Sequence, residues 1–242
     1  MSKERLDKII ASQGIIGRSE VKKLIYKGQV TVNGIIVKSP NSKVDTEKDI
    51  IAVNGEELKV NKFVYLMMNK PQGVVSATKD NVDKTVIDII PAEYKRKGLF
   101  PVGRLDKDTE GLLIITDDGD FAHKVMSPNK KVYKTYVAQL DSPIDENDIE
   151  AFSQGVEFKD GTKCRPAVLT VINNQNAPTA QVKVCEGMFH QVKKMFATRG
   201  KKVVKLTRTS IGSLKLDSNL NKGDVKLLSK LEINAIFIDE LH

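Results

Sequence analysis

Asp106 and Asp108 stand two residues apart in the polar stretch 104–110, with Arg104 and Lys107 beside them. The stretch runs into an apolar segment, residues 111–115, which has strand length and is punctuated on both sides. It therefore reads as a loop feeding a buried strand. A carboxylate at such a junction is held rigidly yet can face a cleft, which suits nucleophilic or acid–base work. Two other readings of the same residues stay open. Asp and Thr side chains also tie down their own loop backbone, and two carboxylates could serve glycoside cleavage, although residues two apart in one loop have no assured separation.

The elements that must position this loop lie on either side of it. Residues 63–68 form a strand-like run that ends at Asn69, Lys70, Pro71, Gln72 and Gly73, where Pro71 and Gly73 fix a turn before a returning strand at 74–77. Residues 85–90 and 92–97 look like short helical pieces, and 118–126 like a helix closed by Ser127 and Pro128. In the strand 131–140, Val132, Lys134, Tyr136 and Ala138 share one face, and Tyr133 and Tyr136 point to opposite faces. A helix over 144–155 and strands over 166–172 and 180–185 follow. The next helix starts after Gly187 and stops at Gly200. At about 100° per residue, Met188, Phe189, Val192, Met195 and Phe196 share one arc of it. Lys193 flanks that arc and is expected at a cleft; Lys194 is expected in solvent. Strands over 203–206 and 212–216 and a short helix after Ser229 complete the chain.

Residues 1–60 have an order of their own. Leu6, Ile9 and Ile10 mark a short amphipathic helix, and a second helix over 18–27, with Ser19 as N-cap, ends at Gly28. Asn33-Gly34 joins strands at 29–32 and 35–37 in a two-residue hairpin, and a strand at 49–53 meets a second turn at Asn54-Gly55. This is a small α+β unit, and the charged residues 56–62 are the expected linker to the rest.

The chain has 242 residues, 40% hydrophobic and 29% charged, which is enough to bury a real core. No apolar run approaches a membrane span and the first residues lack a signal-peptide core, so a cytoplasmic protein is expected. Cys164 and Cys185 form no metal-spaced pair or disulfide framework, and His123, His190 and His242 show no ligand spacing, so no metal is expected. The net charge is +8, and it is concentrated: residues 186–215 carry eight basic residues against one acidic, and residues 1–60 eleven against eight. These two stretches are the candidate polyanion surfaces.

Taken together, Gly103-Arg-Leu-Asp106, Thr109, Gly111-Leu-Leu113 and Thr116-Asp-Asp-Gly119 resemble the signature loop of the RsuA family of RNA pseudouridine synthases, with Asp117 where the family usually carries Asn. The Asn69-Lys-Pro turn and the segment His190-Gln-Val-Lys193 resemble two further motifs of that family. Lys193 stands where most relatives have Arg, as in the small-subunit subgroup. Residues 1–60 resemble an S4-type RNA-binding domain. The resemblance implies an α+β protein: an N-terminal RNA-binding domain, residues 1–60, then a catalytic domain, residues 61–242, with a mixed, mainly antiparallel sheet and flanking helices. It implies isomerisation of uridine to pseudouridine in ribosomal RNA or a ribosomal-subunit assembly intermediate, by a monomer with no cofactor. The 16S RNA of the small subunit is the expected target. A 23S target, or an RNA-binding assembly factor without catalysis, is the alternative. Asp106 is then the catalytic carboxylate, Lys193 its cation and Tyr136 the aromatic that stacks on the base. Arg104, Asn69 and Lys70 support them. Arg5, Lys8, Arg18, Lys22 and Lys23 are the implied RNA contacts of the first domain, and Lys201 and Lys202 those of the second.

Overall fold

The apolar stripes of the first two helices converge on a small sheet. In the computed structural model, which describes residues 3–14 and 16–238, the first unit comprises Met1–Val64 and Pro91–Leu99. It runs β1 (Glu4–Arg5), α1 (Leu6–Ser12), α2 (Arg18–Tyr26), β2 (Val30–Val32), β3 (Ile35–Ile36), β4 (Lys43–Val44), β5 (Ile51–Val53) and β6 (Glu56–Glu57). Leu6, Ile9 and Ile10 pack with Val21 and Ile25 against Val30, Val44 and Ile51. Asn33 and Gly34 have φ of 53° and 77°, and Asn54 and Gly55 53° and 85°. Two consecutive left-handed residues are what a two-residue hairpin needs to match strand twist. Two expectations change. Gly17, with no side-chain bond, takes the N-cap of α2 in place of Ser19. Part of the expected linker is strand, because β6 pairs back onto β5.

The second unit holds β7 (Tyr65–Lys70), β8 (Phe100–Pro101), β9 (Glu110–Thr116), α3 (Gly119–Met126), β10 (Lys134–Leu140), α4 (Glu146–Gln154), β11 (Val168–Asn173), β12 (Thr179–Val184), α5 (Gln191–Thr198), β13 (Val203–Ile211), β14 (Leu214–Lys215), β15 (Val225–Leu227) and α6 (Lys230–Ala235). Among the described residues its sheet has nine strands in the order β11-β12-β10-β13-β9-β7-β15, with β14 on β13 and β8 on β9. The pairings are antiparallel except β13 against β9. Helix starts follow side-chain chemistry: Asp118 accepts from the Phe121 amide at α3, and Asp145–Asp148 and Ser229–Glu232 form reciprocal capping boxes at α4 and α6.

Every residue of β9 is buried, so the strand that leaves the Asp106 loop is covered on both faces. Phe152, Met195 and Phe196 of α4 and α5 pack on Ala138, Val182 and Leu206. Phe121 and Val125 of α3, with Ile236, pack on Met67, Leu112, Ile114 and Ile211. Each such side chain contributes about 1.5–3 kcal/mol by leaving water, so the sheet centre is the rigid part of the unit. No helix among the described residues is long and apolar enough to cross a membrane.

Several expected elements are reduced or extended. Residues 74–77 are not a strand; a single bridge joins Val75 to Thr85, because this segment spends its polar groups on the neighbouring loop. Residues 85–90 are turns, and of 92–97 only Ala92–Tyr94 is helical, as one 3-10 turn. Strand β13 continues to Ile211, and β15 has no counterpart in the sequence reading.

Gly111 is required where β9 meets β13. It pairs with Arg208 across the parallel junction at φ 102°, and a Cβ there would lie 2.2 Å from the Arg208 carbonyl oxygen. Gly111→Ala should therefore lower unfolding stability by about 2–4 kcal/mol, through steric overlap and a disallowed φ combined. Urea unfolding checks this, with Gly119→Ala as control, since a Cβ at Gly119 meets nothing within 4 Å.

Candidate active site

The Asp106 loop is pinned from below by β7 and the turn that follows it. Lys70, fully buried, donates to the carbonyl oxygens of Pro71 at 3.0 Å, Asp106 at 3.0 Å and Thr109 at 2.9 Å. Ser76 Oγ donates to the Leu105 carbonyl at 2.9 Å and accepts from the Leu105 amide at 3.0 Å. The Gly73 amide donates to the Lys107 carbonyl at 2.8 Å, and the Thr109 amide closes the loop on the Asp106 carbonyl at 3.0 Å. Backbone carbonyls on both sides of Asp106 are thus fixed, and its carboxylate is carried by a frame rather than by a free loop. Burial pushes the Lys70 ammonium down to about 8, with the pull of Asp108, Asp106 and Glu110 only partly restoring it. Three carbonyl acceptors match the three N–H bonds of the charged form.

Above that frame, Lys193 at the start of α5 crosses to the loop. Its Nζ lies 2.9 Å from Asp106 Oδ2 and 2.6 Å from Asp108 Oδ1. Where a guanidinium grips one carboxylate with two parallel bonds, the ammonium divides its donors between two residues. Burial pulls the Lys193 ammonium down, but the bonds to Asp108 and Asp106 outweigh it and leave the group above its ordinary value. The same bond from Lys193 holds Asp108 below the usual carboxylate range. His190 approaches the other oxygen of Asp106, Nε2 to Oδ1 3.4 Å. His190 is a left-handed residue at φ 54°, and the turn before it is tied by Gln191, which accepts from the Met188 amide and donates to Glu186 at 2.7 Å. A pocket of about 70 Å³ forms here, lined by Arg104, Asp106, Thr109, Tyr136, His190 and Lys193 among others.

The structure therefore brings Asp106, Tyr136, Lys193 and Arg104 to one cavity, with Arg104 exposed at its rim. Lys70 lies beneath the loop, outside the cavity lining. Asn69 is turned elsewhere: its side chain donates to the Leu220 carbonyl at 2.8 Å, bracing the segment before β15. Lys194 is half-buried, with its ammonium 5.5 Å from the Phe158 ring and 5.4 Å from the Phe189 ring, so it is not simply solvated. Phe189, expected on the buried arc, precedes α5 and is 63% exposed, stacked on His190 at 3.8 Å.

The basic run is less of a surface than its linear charge suggests. Lys201 pairs with buried Asp148 at 2.8 Å, alongside Arg199 at 3.0 Å. Its side chain is only 11% exposed, which removes it from the expected RNA contacts. Lys205 faces Glu110 at 3.5 Å, and Arg208 is buried. Lys202 is exposed. In the first unit, buried Asp7 holds Arg5 at 2.9 Å and Arg18 at 3.3 Å, while Lys8 pairs with Glu4 and Lys23 with Glu20. The Arg5 bonds foremost keep the Asp7 carboxyl below its usual range. Lys22 is half-buried on α2. Ser76 entered no site reading of the sequence, His190 entered only as part of the His190–Lys193 motif, and Arg208 only as one charge of the basic run 186–215. A serine after a Pro-Gly turn and an arginine inside a strand carry no spacing signal, and only the fold brings them together.

Comparison with known proteins finds matches in both parts of the chain. Residues 64–198 match the RNA pseudouridylate synthase family and residues 4–51 the S4 domain. The chain is 41% identical to an uncharacterised RNA pseudouridine synthase of Bacillus subtilis (strain 168), covering 96% of this chain and 98% of that one. It is 40% identical to the ribosomal small subunit pseudouridine synthase A of Escherichia coli (strain K12), covering 96% and 99%. A crystal structure of a pseudouridylate synthase superposes with a TM-score of 0.67 at 36% identity, covering 96% of this chain and 99% of that chain.

Two measurements test the site. Lys70→Met leaves the carbonyls of Pro71, Asp106 and Thr109 without their donor and should lower stability by about 2–4 kcal/mol, from unmade buried bonds, in thermal or urea unfolding. Lys193→Met should reduce turnover by at least about 100-fold while Lys194→Met changes it by no more than about threefold, since only the first removes the cation from Asp106. Comparable losses in two folded variants would reject the assigned pairing.

Proposed function

The chain belongs to the RNA pseudouridylate synthase family, and on that premise we propose that it isomerises a uridine of ribosomal RNA to pseudouridine, with the small-subunit RNA as target and Asp106 at the reaction centre. The observation that carries this reading is the ion pair between Asp106 and Lys193, 87 residues apart in sequence, in a pocket that Tyr136 also lines. The near full-length likeness to small-subunit enzymes supports the choice of RNA.

The reaction cuts the base from its sugar, turns it and rejoins it through a ring carbon. Nothing is gained or lost, so the demands on the protein are extraction, orientation and charge. Taking a uridine out of its stack costs a few kcal/mol, which phosphate contacts and stacking offset. Arg104, exposed at the rim, supports the flipped nucleotide, and Tyr136 stacks on its base. Lys193 holds Asp106 Oδ2 at 2.9 Å, so that the carboxylate is positioned either to attack the sugar or to remove a proton from it. The N-terminal RNA-binding domain, residues 1–60, recruits the ribosomal RNA or an assembly intermediate, and residues 61–242, acting as a monomer, perform the chemistry.

The deciding experiment is pseudouridine mapping on small-subunit RNA and its assembly intermediates incubated with purified protein. Asp106→Asn keeps the shape of the side chain but removes its charge and nucleophilicity; it should bind RNA near normally and form no detectable pseudouridine. Asp108→Asn should retain at least about a tenth of the activity, because Lys193 then still faces Asp106. Substantial product from folded Asp106→Asn protein overturns the assignment. Equal abolition in both variants returns a paired-carboxylate mechanism.

A further inference from the structure

Arg208 is a buried cation whose bonding is incomplete. It sits on β13 opposite Tyr136 of β10 and Gly111 of β9 and is 4% exposed. Its Nε donates to the Leu112 carbonyl at 2.7 Å, and its Nη1 reaches the Tyr136 hydroxyl at 3.5 Å. Nη2 is buried and has no partner, and no carboxylate pairs with the guanidinium among the described residues. A desolvated guanidinium with an unused donor is costly unless an acceptor arrives.

The side chain lines a cavity of about 310 Å³. That cavity borders the Asp106 pocket: Arg104, Tyr136, Glu186, Gly187 and Met188 line both. Lys134 is in the same wall; burial, and then repulsion from Arg208, push its ammonium down to about 8. The acidic residue of the lining, Glu186, is already engaged by the Arg165 amide and Gln191. Val102, Val125 and Ile211 supply apolar walls. A cavity with apolar walls and two cations that no carboxylate pairs with among the described residues fits a planar ring that carries oxygen acceptors and negative charge.

Such a ring is what the proposed reaction releases, and the inference rests on that reading. When the bond from base N1 to sugar C1′ breaks, the bonding pair leaves with the base. The sugar is satisfied by Asp106, either through a new bond from its carboxylate oxygen to C1′ or through transfer of the C2′ proton to that oxygen. In both cases one negative charge leaves Asp106 and appears on uracil, spread over N1, O2 and O4. The ring then turns and C5 bonds to C1′ as the C1′–O bond to Asp106 breaks or, on the other route, as Asp106 returns its proton to C2′. Either way the carboxylate is regenerated, and loss of the C5 proton to solvent with uptake of one at N1 leaves no net gain or loss of atoms. Lys193 stabilises the charge before cleavage but stands on the wrong residue for it afterwards. We propose that Arg208, with Lys134 beside it, is the receiving site for the detached uracil anion, the guanidinium donating to a carbonyl oxygen of the base.

The test uses the full chain and two free bases, uracil, which is neutral at pH 7, and 5-nitrouracil, which is ionised there. Calorimetry should show the wild-type protein binding 5-nitrouracil about tenfold or more tightly than uracil, as expected for a charge-assisted bond. Arg208→Met should abolish that preference and Arg208→Lys should keep part of it, with thermal unfolding reporting whether each variant is folded. No preference in the wild type, or an undiminished preference in Arg208→Met, overturns the proposal, and the wild-type measurement decides even if a variant does not fold. Pseudouridine formation by wild-type protein that binds both bases equally rejects the role of Arg208 alone. Failure of wild-type protein to form pseudouridine in any ribosomal RNA rejects the synthase reading instead.

Discussion

Lys70 carries a positive charge into the interior of the second unit, where three carbonyl oxygens on two segments receive it. One of these oxygens belongs to Asp106 itself, so the position of the reactive carboxylate is set through its own backbone. The arrangement separates two jobs that a charged side chain could confuse. Lys70 holds the main chain of the loop, leaving the carboxylate oxygens to Lys193 and His190 above. A carboxylate held in this way needs little reorganisation when charge moves, which is where preorganised sites gain most.

The parts of this fold that were legible in the sequence are those governed by local rules. Asn33-Gly34 gave the first hairpin and Asn54-Gly55 a turn, though not the strand beyond it, residues 118 and 229 marked helix starts, and the apolar run after the Asp106 loop gave a buried strand. Helical periodicity directed Lys193 and Lys194 to different neighbours, because the angle between neighbours on a helix is fixed, but Lys194, expected in solvent, lies near the Phe158 and Phe189 rings. What was not legible depended on partners far along the chain. Lys201 reads as a surface cation until Asp148 of α4 is seen to claim it. Phe189 reads as core because its spacing is helical, yet the helix begins only after the left-handed His190. Asn69 lies in a motif beside Lys70, but alternation along β7 sends the two side chains to different neighbours.

Charge in this protein is therefore of two kinds. One part holds the fold: Asp7 gathers Arg5 and Arg18, Asp148 gathers Arg199 and Lys201, and Glu110 gathers Lys205 and Lys222. In each case one carboxylate of low exposure anchors two cations, which leaves the cluster with a surplus positive charge. The net charge of +8 is in this respect a by-product of internal clamps as well as a property of exposed lysines. A polyanion approaching the more exposed of these, Arg5 and Arg18 on Asp7, meets guanidinium groups already fixed in orientation, and less side-chain entropy is lost on contact than free lysines would demand.

The parallel junction between β9 and β13 also bears on the order in which the chain can fold. Antiparallel neighbours such as β11 and β12 follow one another closely and can zip from a turn. The β9–β13 contact joins segments that are far apart, as the 96-residue separation of Leu112 and Arg208 shows. Contacts of that separation form against a larger loop-closure cost and come late. The loop that precedes β9 and the helix that precedes β13 carry Asp106 and Lys193 respectively. A nascent chain therefore lacks the completed site until most of the sheet exists, and the reactive carboxylate meets its cation only in a molecule that is already native.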